Sequence, residues 1–325
     1  MANCPVLVPP CCMNRLHEFE NFAIFYIYRE VSMKINLKKT AVCLVSMVLA
    51  FSAYGQNKKI IGDAYDYVGK EFALSLPQLT GMQNIYADAH IGKIFPTAIP
   101  HFAGGIDVSA VRVDTSGIAD VLSELGVSAD GVGNQMFLPS AALDFRLGGV
   151  ILPFDVGFMF LKTPDISFKD VSFGFTTFGA DIRYAILERD LVLPCVSVGF
   201  GYLYNGVNFS YDSKNVKTKF DFSSHSLYAT AQISKKFIFL TPFAGLRLMT
   251  STSSLDWDWS ISVAGGDSGS WSSDGFDFGN IQTQLFGGVG FDFLVFQLTG
   301  SVMADMTHLN DKKFLSGCLS IRAGL

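Results

Sequence analysis

Apolar and polar residues alternate with a period of two along most of the chain from about residue 135 onward. In the clearest run, 192–204, one set of alternate positions is apolar: Val192, Val196, Val198, Phe200, Tyr202 and Tyr204. The opposite set is small or polar: Cys195, Ser197, Gly199 and Gly201. Successive side chains of a β-strand point to opposite faces, so this run predicts a strand with one apolar face.

The same alternation recurs in further segments: 102–113, 137–147, 154–160, 178–186, 227–233, 238–248, 281–293, 294–306 and 315–325. Segments of about ten residues are long for globular strands but suit tilted strands that cross a bilayer. Tight reversals separate some of them: Gly148-Gly149, Glu188-Arg189-Asp190, Lys235-Lys236 and Asp292-Phe293. Long polar connections separate the others: 163–170, 208–221, 252–277 and 307–313. Short turns at one end and long loops at the other are typical of outer-membrane barrels.

Composition agrees with this interpretation. The chain is 49% hydrophobic and only 16% charged, yet no apolar run reaches the roughly 18 residues of a spanning helix. A soluble all-β protein is the alternative, but it gives no reason for loop lengths to alternate so regularly. The net charge of −5 argues against a nucleic-acid partner. We therefore expect an all-β protein, a transmembrane antiparallel β-barrel.

The number of strands depends on the N-terminal part of the mature chain. Ten strands are counted back from the C-terminus, the first at about 102–113, and 83–93 is an eleventh candidate. Either 83–93 pairs with a weak strand near 70–80 to give twelve, or this stretch is a plug and ten remain, since the number should be even. Residues 116–126 have the spacing of a short amphipathic helix in an outer loop.

A secretory signal peptide begins at Met33. Three lysines precede an apolar stretch at 41–51, and Ala53-Tyr54-Gly55 predicts cleavage before Gln56. We expect Met33 to be the initiator and 1–32 to be a misassigned upstream extension, the alternative being an unusually long n-region. The sequence therefore predicts four consecutive parts: extension 1–32, signal peptide 33–55, N-terminal segment (plug or first strands) 56–100 and barrel 101–325.

Charged residues fall on the face opposite the apolar one, so they are predicted to line the lumen. The candidates are Asp107, Asp144, Arg146, Asp155, Asp181, Arg183, Arg247, Asp292 and Arg322, together with Gln282 and Gln284. A charge at the bilayer midplane is costly, at about 2–4 kcal/mol for a basic residue, so it should not face lipid. Two interpretations remain open: an ion-pair network that fills and stiffens a narrow barrel, or a lining that selects solutes.

Other residues with chemical potential give weaker signals. Trp257, Trp259 and Trp271 belong either to an interfacial girdle or to the tip of the longest loop. His225 lacks the serine two residues later that a barrel phospholipase would carry, since Leu227 stands there. Cys195 is one of two mature-chain cysteines, which are expected to be packing residues and not a disulfide. We expect no enzyme activity, cofactor or metal.

The chain resembles small outer-membrane barrels of the OmpW and FadL kinds over 56–325. The segments IGKIFPTAIPHFAGGIDVSAVRVDTSG (91–117) and FLPSAALDFRLGGVILPFDVGF (137–158) also resemble conserved barrels of spirochaetes. The resemblance implies passage of small hydrophobic or amphipathic molecules across the outer membrane. The expected function is a passive conduit, the alternative a closed barrel whose loops, above all 252–277, bind host or envelope partners. Expected partners are outer-membrane lipid, small solutes and the barrel-assembly machinery.

Overall fold

The computed structural model describes residues 58–93, 101–117, 135–149, 151–163, 166–168, 171–188, 192–212, 214, 216–261, 265–273, 275–279, 281–307 and 315–324. One helix, α1 (Lys58–Gln83), precedes the strands. The strands are β1 (Phe102–Asp114), β2 (Gln135–Gly148), β3 (Phe154–Lys162), β4 (Ile166–Phe168), β5 (Val171–Leu187), β6 (Cys195–Asp212), β7 (Val216–Ser234), β8 (Leu240–Ile261), β9 (Gly265–Ser272), β10 (Gln282–Phe293), β11 (Phe296–Asp305) and β12 (Leu315–Gly324).

Ten of these strands form a closed antiparallel barrel. Each pairs with its neighbours around the ring, and β12 pairs with β1 through Gly324 opposite Ala103. On the other side β10 pairs with β8, with Gln284 opposite Arg247. The short strands β4 and β9 lie off the ring and extend β5 and β8. The predicted fold class is confirmed, with ten strands in the wall.

The outer face of the wall is apolar and exposed. Val198 and Phe200 of β6 are 40% and 56% exposed, whereas the inward-facing Ser197 is buried. The same holds around the ring for large exposed side chains such as Phe145, Ile182, Leu246, Leu285 and Ile321. So continuous an exposed apolar belt is unfavourable in water and is typical of the lipid-facing surface of an outer-membrane barrel. Within the described residues, no helix is both long and apolar enough to span a membrane.

The two ends of the barrel differ. At the short-turn end, where β1 begins and β12 ends, the connections between strands are brief, and β10 and β11 are joined by Leu294 and Val295 alone. At the opposite, loop end, the polar connections predicted at 208–221 and 252–277 are largely strand. β6 and β7 pair as far as Asp212 opposite Lys217, and β8 continues to Ile261 before β9 pairs with it. The loop prediction for these two ranges is wrong.

This continuation forms a wall beyond the barrel, here called the rim extension: 206–212, 216–223, 253–261 and 265–272. Its outer face is polar and exposed, with side chains such as Asn208, Lys219, Asp256 and Asp258. Its inner face is apolar and buried, with side chains such as Phe209, Phe222, Leu255 and Trp257. The period of two continues, but the apolar residues have moved from the outer to the inner face.

The described part of the N-terminal segment, 58–93, forms no wall strand. Residues 70–80 lie in α1, and 84–93 is an irregular segment whose one backbone bridge joins Lys93 to Gly149. The strands predicted at 83–93 and near 70–80 are therefore wrong, and the plug alternative describes the structure. The signal peptide and the upstream extension lie outside the described residues, as does most of the helix predicted at 116–126.

Candidate functional site

The C-terminal half of α1 lies inside the barrel. Gln78 donates a hydrogen bond to Ser316 Oγ of β12 at 3.0 Å, and Gln83 donates one to Ser140 Oγ of β2 at 3.2 Å. Thr80 donates to Asn205 of β6, on another side of the wall. A helix that bonds to three separated strands, all through inward-facing side chains, must occupy the lumen.

Between the end of the helix and the short-turn end of the barrel, the inward-facing charges of the wall form a buried group, here called the ionic layer. Arg146 donates to Asp155 at 2.5 Å and to Asp181 at 2.7 Å. Arg183 joins the same group through Asp155 at 2.8 Å. These side chains are almost completely buried, so each charge depends on its partners for the stabilisation that water would otherwise provide.

A second group of the ionic layer lies beside the first, on the neighbouring strands β12, β1 and β2. Arg322 of β12 donates to Asp107 of β1 and to Asp144 of β2, both at 2.6 Å. Three neighbouring strands are therefore tied together on their inner face. Such cross-strand ion pairs stiffen the wall, as the interpretation of a filled narrow barrel expects.

The two ionic groups meet at a residue of the plug. The guanidinium carbons of Arg322 and Arg146 lie 4.0 Å and 4.7 Å from the centre of the Tyr86 ring. Asn84, two residues earlier, donates to Asp181 Oδ1 at 3.1 Å and to Tyr228 Oη at 2.9 Å. The charges thus bind the wall to itself and also hold 84–93 across the lumen through cation–π and hydrogen-bond contacts.

Seven of the nine predicted lumen residues belong to this layer: Asp107, Asp144, Arg146, Asp155, Asp181, Arg183 and Arg322. Asp292 lies instead at the short-turn end, half-buried, where it accepts hydrogen bonds from Thr241 and Gln297 at 2.9 Å each. Hydrogen bonds and the ammonium of Lys236 at 3.2 Å surround this carboxylate. Asp292 therefore lies at the short-turn end and does not belong to the ionic layer.

Arg247 differs from the other buried arginines. Its guanidinium lies over the Tyr228 ring at 4.5 Å and near the Phe286 ring at 5.7 Å, but its buried Nε and Nη1 have no hydrogen-bond acceptor among the described residues. The amide of Gln284, its cross-strand neighbour, is likewise buried and unsatisfied at both ends. A side chain at Gly81 of α1 would collide with this guanidinium, so the plug contacts it directly.

A cavity of about 620 Å³ opens below the ionic layer toward the short-turn end. Its inner limit is formed by Tyr86 and Arg322, and His90, Glu188 and Phe296 lie around its sides. Burial lowers the pKa of His90, whose Nε2 has no hydrogen-bond partner in the described part of the chain. Among the described residues, this cavity extends inward as far as Tyr86.

The aromatic, histidine, serine and cysteine candidates lie on different faces of the wall. Trp257 and Trp259 face inward and are buried, which overturns both the girdle and the loop-tip predictions for them. Tyr202 lies on the outer face with its hydroxyl 2.7 Å from His225 Nδ1. Ser224 and Ser226 point inward, away from that histidine. Cys195 and Cys318 are buried, and no disulfide joins them to each other.

The period-two pattern that predicts the strands does not predict the plug helix. Its signal is present in the sequence as apolar residues at helical spacing: Tyr65, Val68, Phe72, Leu76, Leu79 and Met82. All six side chains are at most 8% exposed. Glycines at 62, 69 and 81 and Pro77 lower the intrinsic helix propensity, so packing against the wall must stabilise the helix.

The chain belongs to a family of unknown function, DUF6588, whose model matches residues 70–307. No curated protein matches it. Among solved structures it is similar to the translocator domain of the autotransporter NalP from Neisseria meningitidis, at 9% identity, covering 71% of this chain and 89% of that one with a TM-score of 0.38. It is also similar to the outer membrane protease OmpT from Escherichia coli, at 9% identity, covering 70% and 98% with a TM-score of 0.39. A FadL homologue of Pseudomonas aeruginosa is similar at 8% identity, covering 76% and 97% with a TM-score of 0.26. Likenesses at this level carry over no activity, substrate or partner.

Proposed function

We propose that this protein is an outer-membrane channel for small molecules that its own N-terminal helix holds closed. The observation that carries the proposal is the chemistry of the wall behind the helix. Inward-facing positions in the membrane part are polar as well as buried, as at Ser109, Thr177, Ser197 and Ser226. Small hydroxyl side chains are suited to a hydrated passage, which this wall would form once the helix moved out.

The way in which the plug is attached to the wall also supports the proposal that it can move out of the lumen. In the membrane part it makes apolar contacts with the wall through Met82 and Ile85, and polar contacts whose hydrogen bonds water can replace at a net cost of about 1 kcal/mol each. Two guanidinium nitrogens of Arg247, which contacts Gly81 of the helix, and the side-chain amide of Gln284 are buried and unsatisfied among the described residues. Burying such groups without partners is unfavourable, so the closed state carries a cost that opening would relieve.

A reversible lock tests the proposal. A Cβ built on Gly69 of α1 lies 3.5 Å from Leu255 Cβ of β8, which is within the range for a disulfide. The double variant Gly69→Cys, Leu255→Cys should therefore tether the helix when oxidised and release it when reduced. Gly69→Cys alone is the matched control, and conductance of the refolded protein in planar bilayers is the measurement.

We expect discrete conductance steps from the parent chain and the reduced lock, and none from the oxidised lock. Gln78→Ala with Gln83→Ala, which removes two tethers, should raise the open fraction. Equal conductance from oxidised and reduced lock would exclude the helix as the gate. A channel would be excluded if no form conducted, including the variant with fewer tethers, and if no solute entered liposomes.

A second candidate is a closed barrel whose projecting surface binds host or envelope partners. The rim extension favours it, because it presents a charged outer face that includes Lys219, Asp256 and Asp258. Deleting 256–274 would also remove side chains that pack on α1, so replacing the three charges with serine is the cleaner test. A binder should lose its partner and keep its fold, whereas a channel should conduct unchanged.

The location and partners are part of the proposal. The apolar belt supports an outer-membrane site with lipid as its surroundings, reached through cleavage after Gly55 and the barrel-assembly machinery. Kinship with OmpW- or FadL-like barrels, and hence hydrophobic or amphipathic solutes, is proposed on architecture alone. A conduit of this kind needs no catalytic group or cofactor.

A further inference from the structure

The inner face of the rim extension is an aromatic wall. Phe220 and Phe222 of β7 and Trp257 and Trp259 of β8 are all at most 8% exposed. The third tryptophan of the chain, Trp271 of β9, lies beside them where β9 pairs with β8. Every tryptophan of the protein is therefore in this one part of the structure.

Two rings of α1 occupy this wall. Tyr65 stacks on Trp257 with ring centres 5.0 Å apart and planes 13° apart, and its hydroxyl lies 3.0 Å from Thr218 Oγ1. Phe72 meets Phe220 and Phe222 edge-on at 5.9 Å and 5.8 Å. The wall thus binds a phenol ring by its flat face and its hydroxyl together.

The wall also has unused hydrogen-bonding capacity. Trp257 Nε1 and Trp259 Nε1 are buried and have no acceptor among the residues that the structure describes. A buried indole N–H normally finds a partner, so two unsatisfied donors on one surface indicate a place for an acceptor. Gly62 of α1, above the Trp257 ring, has no side chain that could provide one.

We propose that this aromatic wall is a binding site for planar phenolic solutes, which take the place of Tyr65. The inference rests on the proposed function, because it names the solute class that would enter from the loop end. Tyr65 occupies the site in the closed state as a covalently attached competitor. A free phenol would gain the stack on Trp257, the hydrogen bond to Thr218 and an acceptor contact to an indole N–H.

The three tryptophans make their own fluorescence the readout. The purified full chain would be titrated with p-cresol, which has the ring and hydroxyl of a tyrosine side chain, and 4-methylcyclohexanol is the non-planar control. Tyr65→Ala should bind p-cresol about tenfold more tightly, the factor that corresponds to removing about 1.4 kcal/mol of competing ring contact. Tyr204→Ala, an outer-face ring next to His225, is the matched control and should not change the affinity.

We expect a saturable emission change with p-cresol and none with 4-methylcyclohexanol. Thr218→Val should weaken binding, and the oxidised Gly69→Cys, Leu255→Cys lock should abolish it until reduction. A linear, unsaturable response that is the same in all variants, or equal binding of both alcohols, would overturn the site. If the protein binds p-cresol as expected but never conducts, the channel proposal is wrong and the binding site stands. If it conducts but shows no saturable binding, the binding site is wrong and the channel proposal stands.

Discussion

The membrane part of strands β6 to β8 and their rim extension share one backbone geometry and opposite chemistry. In the membrane part Val198 faces outward and Ser197 inward, whereas in the rim extension Asn208 faces outward and Phe209 inward. Period two identifies a strand in both regions, but the surroundings decide which face is apolar. Lipid outside and polar groups inside give one arrangement; water outside and a packed helix inside give the other. We therefore expect the strands to leave the bilayer at the reversal, near Tyr204.

The plug is held differently in the two regions. In the membrane part, charges and amides hold it, with Tyr86 between Arg146 and Arg322, beside a small apolar cluster. In the rim extension, ring contacts hold it, with Tyr65 on Trp257. The first kind of contact depends on complete pairing of every buried group, and the second on area and shape. Mutations should therefore have different consequences in the two regions.

The largest effect is expected from Asp155→Ala in the ionic layer. It leaves Arg146 and Arg183 buried without their shared partner, which should lower the free energy of unfolding by about 3–5 kcal/mol. Urea titration of the refolded protein measures this. Asp256→Ala, a carboxylate on the outer face of the rim extension, is the control and should change little. Similar losses from both would mean that the layer contributes no special stability.

A smaller effect tests the reversal of the apolar face directly. Val198→Arg places a charge against lipid and should reduce assembly by about 2–4 kcal/mol. Asn208→Arg, on the same face of the same strand, should fold normally because it faces water. Folded yield in lipid vesicles, compared between the two variants, is the measurement. Equal yields would contradict the bilayer boundary drawn between these positions.

Arg247→Met should have the opposite sign. It removes an unneutralised buried cation and keeps an apolar side chain over Tyr228 and Phe286, so the closed state should gain about 1 kcal/mol or more. Urea titration should show the gain, and bilayer recordings should show a lower open fraction. A less stable protein would indicate that the cation–π contacts outweigh the cost of the buried charge.

The smallest effect is expected at the tip of the rim extension. Lys217 and Asp212 form a 3.1 Å ion pair with both side chains about two-thirds exposed. Exposed pairs contribute about 0–1 kcal/mol and are screened by salt, so Lys217→Ala should leave the urea midpoint almost unchanged. A clear loss of stability would show that this hairpin is more buried than its exposure indicates.

The sequence by itself determined the barrel, because alternation and bilayer energetics are local: each residue in a period-two run must face either lipid or the interior. It also predicted that Arg322 and Asp144 face inward together. It did not distinguish strands from loops at 208–221 and 252–277, since exposed serine, lysine and aspartate occur in both. The apolar partners of those segments come from α1, more than a hundred residues earlier.

Only the tertiary structure decided how the interior is used. The helical spacing of Tyr65, Phe72 and Leu79 predicts an amphipathic helix at best, and nothing local states that the helix lies inside a barrel. Strand register and the space that the plug leaves decide which arginine pairs with which aspartate. They also leave Arg247 without an aspartate partner among the described residues. Pairing energies depend on distances between side chains of neighbouring strands, and the closed ring sets those distances.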